Sequence, residues 1–165
     1  MKPHGRWTGQ NELVRISAKT DYAVRAAAEL AASETGVWVK TEIVADRQGI
    51  PLPFLLNILA ELRTAGLVQS RRGAEGGYKL ARPADQIALA DVIRAIDGPL
   101  AGVSGARPET LDFHGSSEPL RDVWVAVRAA LRSVLERVTV ADVATGQLPD
   151  HVKALLESED AWVSH

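Results

Sequence analysis

Between Thr41 and Leu80 two short helical segments meet at a glycine and run into a hairpin, and few folds accommodate that order. Where two helices cross closely, the contact position needs a tiny side chain and the turn needs a residue tolerant of positive φ. Ala45 and Gly49, four positions apart, supply them. The second helix must then bury apolar groups against the first, and Ile50, Leu55 and Ile58 stand where that packing requires them. The first of these helices is expected over 41–47 with Thr41 as N-cap, and Gln48-Gly49 breaks it. The second is expected over 53–65, ended by Gly66. Residues 67–70 read as a strand, 71–77 as a glycine-rich turn and 78–81 as the returning strand.

This joint spacing implies a winged helix, with the helix from Pro53 offered to the major groove. The expected fold class is mainly α with a small β-hairpin: a winged helix-turn-helix over 15–98 and a long C-terminal dimerisation helix. Residues 1–14 have no apolar period and read as a mobile arm, in which Lys2 and Arg6 could track a groove. An alanine-rich helix is expected over 18–33, with Tyr22, Ala26, Ala27, Leu30 and Ala31 on one face. Val37-Trp38-Val39 is long enough only for a brief strand, and Trp38 anchors the first helix to the hairpin. A further helix over 89–97 is stopped by Gly98.

Residues 99–117 read as a loop and as the internal boundary. A continuous helix is expected over about 118–144, within a dimerisation segment 118–145. There Leu120, Trp124, Val127, Leu131, Val134, Val138 and Ala141 alternate in fours and threes, the spacing of a helix seam. Leu120, Trp124, Val127, Leu131, Val134 and Val138 are the expected dimer face, with a small-effector pocket as the sharper alternative for Trp124. Residues 146–165 form a tail with a short helix over 149–157.

The charge distribution fits two tasks. Residues 1–98 carry 13 Lys/Arg and 11 Asp/Glu, and 99–165 carry 6 and 10, so a net +2 precedes a net −4. No apolar run reaches the ~18–20 residues of a membrane span, and no export signal stands at the start, so the expected location is the cytoplasm. The chain has no cysteine, which excludes disulfides, cysteine nucleophiles and all-cysteine iron–sulfur ligation. No Ser/His/Asp or paired-carboxylate constellation stands out, so no enzyme is expected.

The wing is Arg71-Arg72-Gly73-Ala74-Glu75-Gly76-Gly77-Tyr78. Two adjacent guanidinium groups at a hairpin tip can pair phosphates or enter a narrow minor groove, and Gly76 and Gly77 would let the turn lie close to the backbone. A solvated hairpin with incidental arginines is the alternative. The segments Arg15 to Arg25, Gly49-Ile50-Pro51, Leu59 to Arg63, Ala65 to Val68, Arg72 to Pro83 and Ala90 to Gly98 together resemble the Rrf-two (BadM-like) winged-helix transcriptional regulators. The resemblance covers about 15–98 strongly and the long helix more loosely.

What it implies is a homodimer that binds partly palindromic double-stranded operators and usually represses. By position in the motif, Pro51, Pro53, Phe54, Leu56 and Asn57 occupy the DNA-facing start of the recognition helix, and Arg72 is the wing arginine of the minor groove. Lys19 and Tyr22 fall in the first-helix segment that touches phosphates. Lys19, Lys40, Arg71, Arg72 and Lys79 are the expected phosphate-neutralising cations, with Thr41 completing the DNA-binding set. Asn57 is the one residue there able to hydrogen-bond a base edge, and Leu56 either meets a thymine methyl or packs.

Many relatives bind an iron–sulfur cluster through three cysteines ahead of the dimer helix. By this resemblance 99–117 is a sensor-type loop; here it and its border offer Ser104, Glu109, Asp112, His114, Ser116, Ser117 and Glu118, so no cofactor and no metal are expected. His114 reads as a solvated histidine, with a pH or metal role as the alternative. Control is left to a small-molecule effector near 99–124 or to a partner protein. A winged helix used only as a protein-interaction module remains the rival from another class.

Overall fold

The computed structural model describes residues 16–103 and 105–163, so the expected arm 1–14 and Ser104 lie outside the described residues. Helix α1 (Ala18–Ala32) is the axis around which the rest assembles. Its buried face is Thr20, Ala23, Ala26, Ala27 and Leu30, small side chains that let α2, α3, α4 and α6 approach closely. Ser17 caps α1 by accepting from the Thr20 N–H at 3.0 Å. The hydroxyls of Ser17 and Thr20 both donate to the Asp97 carboxylate, at 3.0 and 2.5 Å. This ties the start of α1 to the end of α4 (Leu89–Asp97).

Helices α2 (Thr41–Gln48) and α3 (Leu52–Thr64) meet at Gly49, which takes the left-handed conformation at φ 61°. A side chain there would be strained. Val44, Ile50, Leu55, Ile58, Leu59 and Leu62 fill the core between α1, α2 and α3. Thr41 is not the N-cap. Lys40 takes that place, without a side-chain cap bond, and Thr41 is buried one position later.

Glu29 fastens α2 to α1. It accepts from Arg47 Nη1 and Gln48 Nε2, both at 2.8 Å, and its side chain is only 11% exposed. The Arg47 hydrogen bond chiefly, with Gln48 and the Arg47 charge, holds its carboxyl below the usual carboxylate range against the opposing effect of burial. A carboxylate depressed in the folded state contributes stability above its unfolded pKa, and that stability is lost as pH falls through the folded value. Glu29→Gln is therefore expected to lower stability at pH 7 by roughly 1 kcal/mol, because Arg47 is solvated. It should also flatten the acid-side decline, and denaturant midpoints at pH 7 and pH 3 read both effects. A midpoint at pH 7 equal to wild type would contradict it.

Strands β1 (Val68–Arg71) and β2 (Gly77–Leu80) form an antiparallel hairpin, with Val68 opposite Leu80 and Arg71 opposite Gly77. Val39 adds a one-residue third strand, exchanging two 2.8 Å backbone bonds with Tyr78.

The C-terminal half departs from the single long helix. Helix α5 (Leu120–Leu135) stops at Glu136, and α6 (Val140–Thr145) turns back onto α1. The cause is local. Thr139 and Asp142 form a reciprocal capping box, the Asp142 N–H donating to Thr139 Oγ1 at 3.1 Å and the Thr139 N–H to Asp142 Oδ2 at 2.7 Å. Backbone bonds from Leu89 N–H to Val138 O and from Val140 N–H to Ile87 O, each 2.9 Å, lock the break against residues 87–89. Val138 and Val140 are consequently core residues of their own chain, and Val138 does not belong to a dimer face.

The seam that remains, Leu120, Trp124, Val127, Leu131 and Val134, lies on α5, a helix with no fully buried residue. Arg128 pairs with Glu109 at 2.5 Å and docks the preceding segment on α5. Helix α7 (Asp150–Leu156) follows.

Candidate nucleic-acid interface

The helix-turn-helix turns α3 so that Leu55, Ile58, Leu59 and Leu62 face the core. At 100° per residue the opposite face is Pro53, Leu56, Asn57, Ala60 and Thr64. Pro51 precedes the helix and Pro53 sits in its first turn, where a missing N–H costs nothing. Phe54 (61% exposed), Leu56 (45%) and Leu52 (36%) all reach solvent. Phe54 and Asn57 lean towards α1, where with Lys19 and Tyr22 they line one cleft of about 520 Å³. Four of the residues expected from the sequence are thus brought together.

Lys19 is not a free cation. Its Nζ lies 2.7 Å from Glu61 Oε1 across that cleft, with both side chains about half exposed. Tyr22 carries Arg25 over its ring at 5.4 Å, and Arg25 also donates to the Gln48 carbonyl oxygen. Both charges of α3 have partners: Glu61 is held by Lys19, and Arg63 Nη1 donates to Ser70 Oγ at 3.1 Å.

On the hairpin, Arg71 and Lys79 share the Trp38 ring, at 5.1 and 4.5 Å from its centroid. Arg71 further donates to the Glu75 carbonyl oxygen. Sequence reasoning placed Trp38 as a packing anchor and missed this role in orienting two cations. The available signal was its position beside Val39, which pairs with β2. Arg72 at the tip and Lys40 before α2 are exposed and have no side-chain partner among the described residues.

Three expected contacts are reassigned by the packing. Thr41 is only 8% exposed and belongs to the core of the α2 junction. Gly76 is buried, and a Cβ on it would lie 2.1 Å from the Arg71 carbonyl oxygen. A Cβ on Gly77, at φ 148°, would lie 2.2 Å from the Val39 oxygen. These glycines let the hairpin close on itself and on Val39.

A helix with a solvent-facing side, packed through a helix-turn-helix and followed by a cationic hairpin, defines a winged-helix transcription regulator. The family model for Rrf2, described as an iron-dependent transcriptional regulator, matches residues 16–146. The chain belongs to the Rrf2 family, whose members are regulators of transcription and not enzymes. It is 54% identical over 151 residues to an HTH-type transcriptional regulator of Mycobacterium tuberculosis, Rv1287, covering 92% of this chain and 94% of that one. The solved structure of CymR, the global cysteine regulator of Bacillus subtilis, superimposes with a TM-score of 0.70 at 31% identity, covering 82% and 99%. That of IscR from T. potens gives 0.63 at 33% identity, covering 95% and 96%. No helix among the described residues is long and apolar enough to cross a membrane.

The family description implies iron, and the donors of this chain do not fit an iron–sulfur cluster. There is no thiolate to supply soft ligands. Among the described residues no three His, Cys, Asp or Glu side chains converge on a common point. Glu109, the carboxylate nearest the middle of the 99–117 segment, is committed to Arg128.

Proposed function

We propose that the protein is a homodimeric, cluster-independent repressor in the cytoplasm. The outward face of α3 enters the major groove of a partly palindromic operator, and Arg72 reaches the minor groove. The observation that carries this reading is the pairing of a solvent-facing recognition helix with a hairpin whose tip arginine has no partner among the described residues while its neighbours are pre-stacked on Trp38. Arg71, Arg72, Lys79 and Lys40 neutralise phosphates. Lys19 joins them only by exchanging Glu61 for a phosphate oxygen. Two α3 helices reach successive grooves only if the subunits are held at fixed spacing, and α5 offers a partly exposed apolar seam for that.

Selection of genomic fragments by the purified protein, followed by a salt titration on the enriched site, tests the reading. A palindromic site whose affinity falls steeply with salt is expected. A folded protein that enriches no duplex would overturn it. Arg72→Ala is expected to weaken operator binding by at least ~1 kcal/mol at fixed salt. An unchanged isotherm would remove Arg72 from the interface. Reporter expression from the selected promoter should rise when the protein is deleted, as repression requires.

A further inference from the structure

We propose that Leu56 is a specificity-determining residue that reads the C5 methyl groups of thymines, beside an adenine held by Asn57. The inference rests on the operator-binding reading above. The two charges of α3 stand at the flanks of its outward face and are engaged there, Glu61 by Lys19 at 2.7 Å and Arg63 by Ser70 at 3.1 Å. The residues left to meet base edges are Pro53, Leu56, Asn57, Ala60 and Thr64. The hydroxyl of Thr64 already donates to the Ala60 carbonyl oxygen at 3.0 Å. Asn57 is therefore the one side chain on this face with a free donor and acceptor pair, which matches the N6/N7 edge of adenine.

Leu56 is adjacent to Asn57 in sequence and 45% exposed, while Leu55 beside it is fully buried. An exposed leucine at the edge of a face otherwise built for water or bases has one apolar feature to meet in the major groove, the thymine methyl. Guanine and cytosine offer only hydrogen-bonding groups there, which Leu56 would desolvate without replacing. Charge selects the same occupant over an apolar protein surface. The segments flanking α3 in sequence carry unpartnered Lys40 and Arg72 and the stacked Arg71 and Lys79, cations that favour a polyanion. The half-site that fits is an A·T-rich one with thymine next to the adenine bound by Asn57.

Replacing each thymine of the selected operator in turn by deoxyuridine removes one methyl and leaves every hydrogen bond intact. The dimer is expected to bind one or two of these operators about fourfold more weakly per half-site, the value of one buried methyl. Leu56→Ala, a change outside the core, is expected to fold normally and to bind the thymine and deoxyuridine operators alike. Sequence-specific, salt-sensitive binding that is blind to deoxyuridine at every position would overturn this inference and leave the operator reading standing. So would a Leu56→Ala protein that keeps the wild-type discrimination. Enrichment of no duplex at all would overturn both.

Discussion

Val127→Asp together with Leu131→Asp is expected to give a folded monomer whose operator affinity is about 10²–10⁴ lower, the loss when two linked binding modules become independent. The cause lies in how α5 packs. It contributes no fully buried residue to its own chain, and Leu120 and Val123 are 39% and 49% exposed. The main core lies elsewhere, around α1, so charge on the seam leaves that core in place. Two aspartates facing their symmetry mates would place like charges in a desolvated contact, where they cannot be solvated or paired. Sedimentation should report a monomer, circular dichroism an unchanged helix content, and binding isotherms the weakened operator affinity. A double variant that still sediments as a dimer would move the subunit contact off α5.

Gly77→Ala is expected to destabilise the wing strongly. The new Cβ would lie 2.2 Å from the Val39 oxygen and 2.6 Å from the Val39 carbonyl carbon. Both are backbone atoms held by the reciprocal Val39–Tyr78 bonds, so neither can yield as the end of a flexible side chain would. Separating them detaches the hairpin from the segment that carries Trp38, at an expected cost of about 2–4 kcal/mol. The melting temperature should fall by roughly 5–15 °C. Gly73→Ala is the control: φ there is 100°, but a Cβ would meet open space within 4 Å. Its cost should stay near ~1 kcal/mol of backbone strain. Equal melting of the Gly77→Ala protein and wild type would refute this account of the wing.

The two variants also separate the kinds of information in the chain. Alternation and breakers are local, and they located most elements to within a residue or two: α1 ends at Ala32 where Ser33 was expected, and α4 spans 89–97 as expected. Where the heptad spacing of α5 ran on to Val138 and Ala141, periodicity misled. A helical repeat reports which residues could share a face, not whether the helix persists. The Thr139–Asp142 capping box inside that repeat was the local signal for a break, and it outweighed the apolar spacing.

The candidate site was legible in residue type but not in allegiance. Lys19, Arg71 and Lys79 are cations in the sequence. Only the fold shows that the first answers Glu61 and the other two stack on Trp38, because those partners lie far along the chain or across strands. Gly76 and Gly77 look like room for a ligand, yet the space they leave is taken by the backbone of Arg71 and Val39.

By itself, then, the sequence determined the winged helix, through Ala45, Gly49 and the apolar positions of α3. It also determined the lack of thiolate chemistry, through its composition. Side-chain size, φ tolerance and element content are properties each residue carries with it. Tertiary structure alone decided which charges remain free, which valines serve the core and which face of α3 is left bare. Those outcomes depend on distances between segments brought together only by burial of the α1 face.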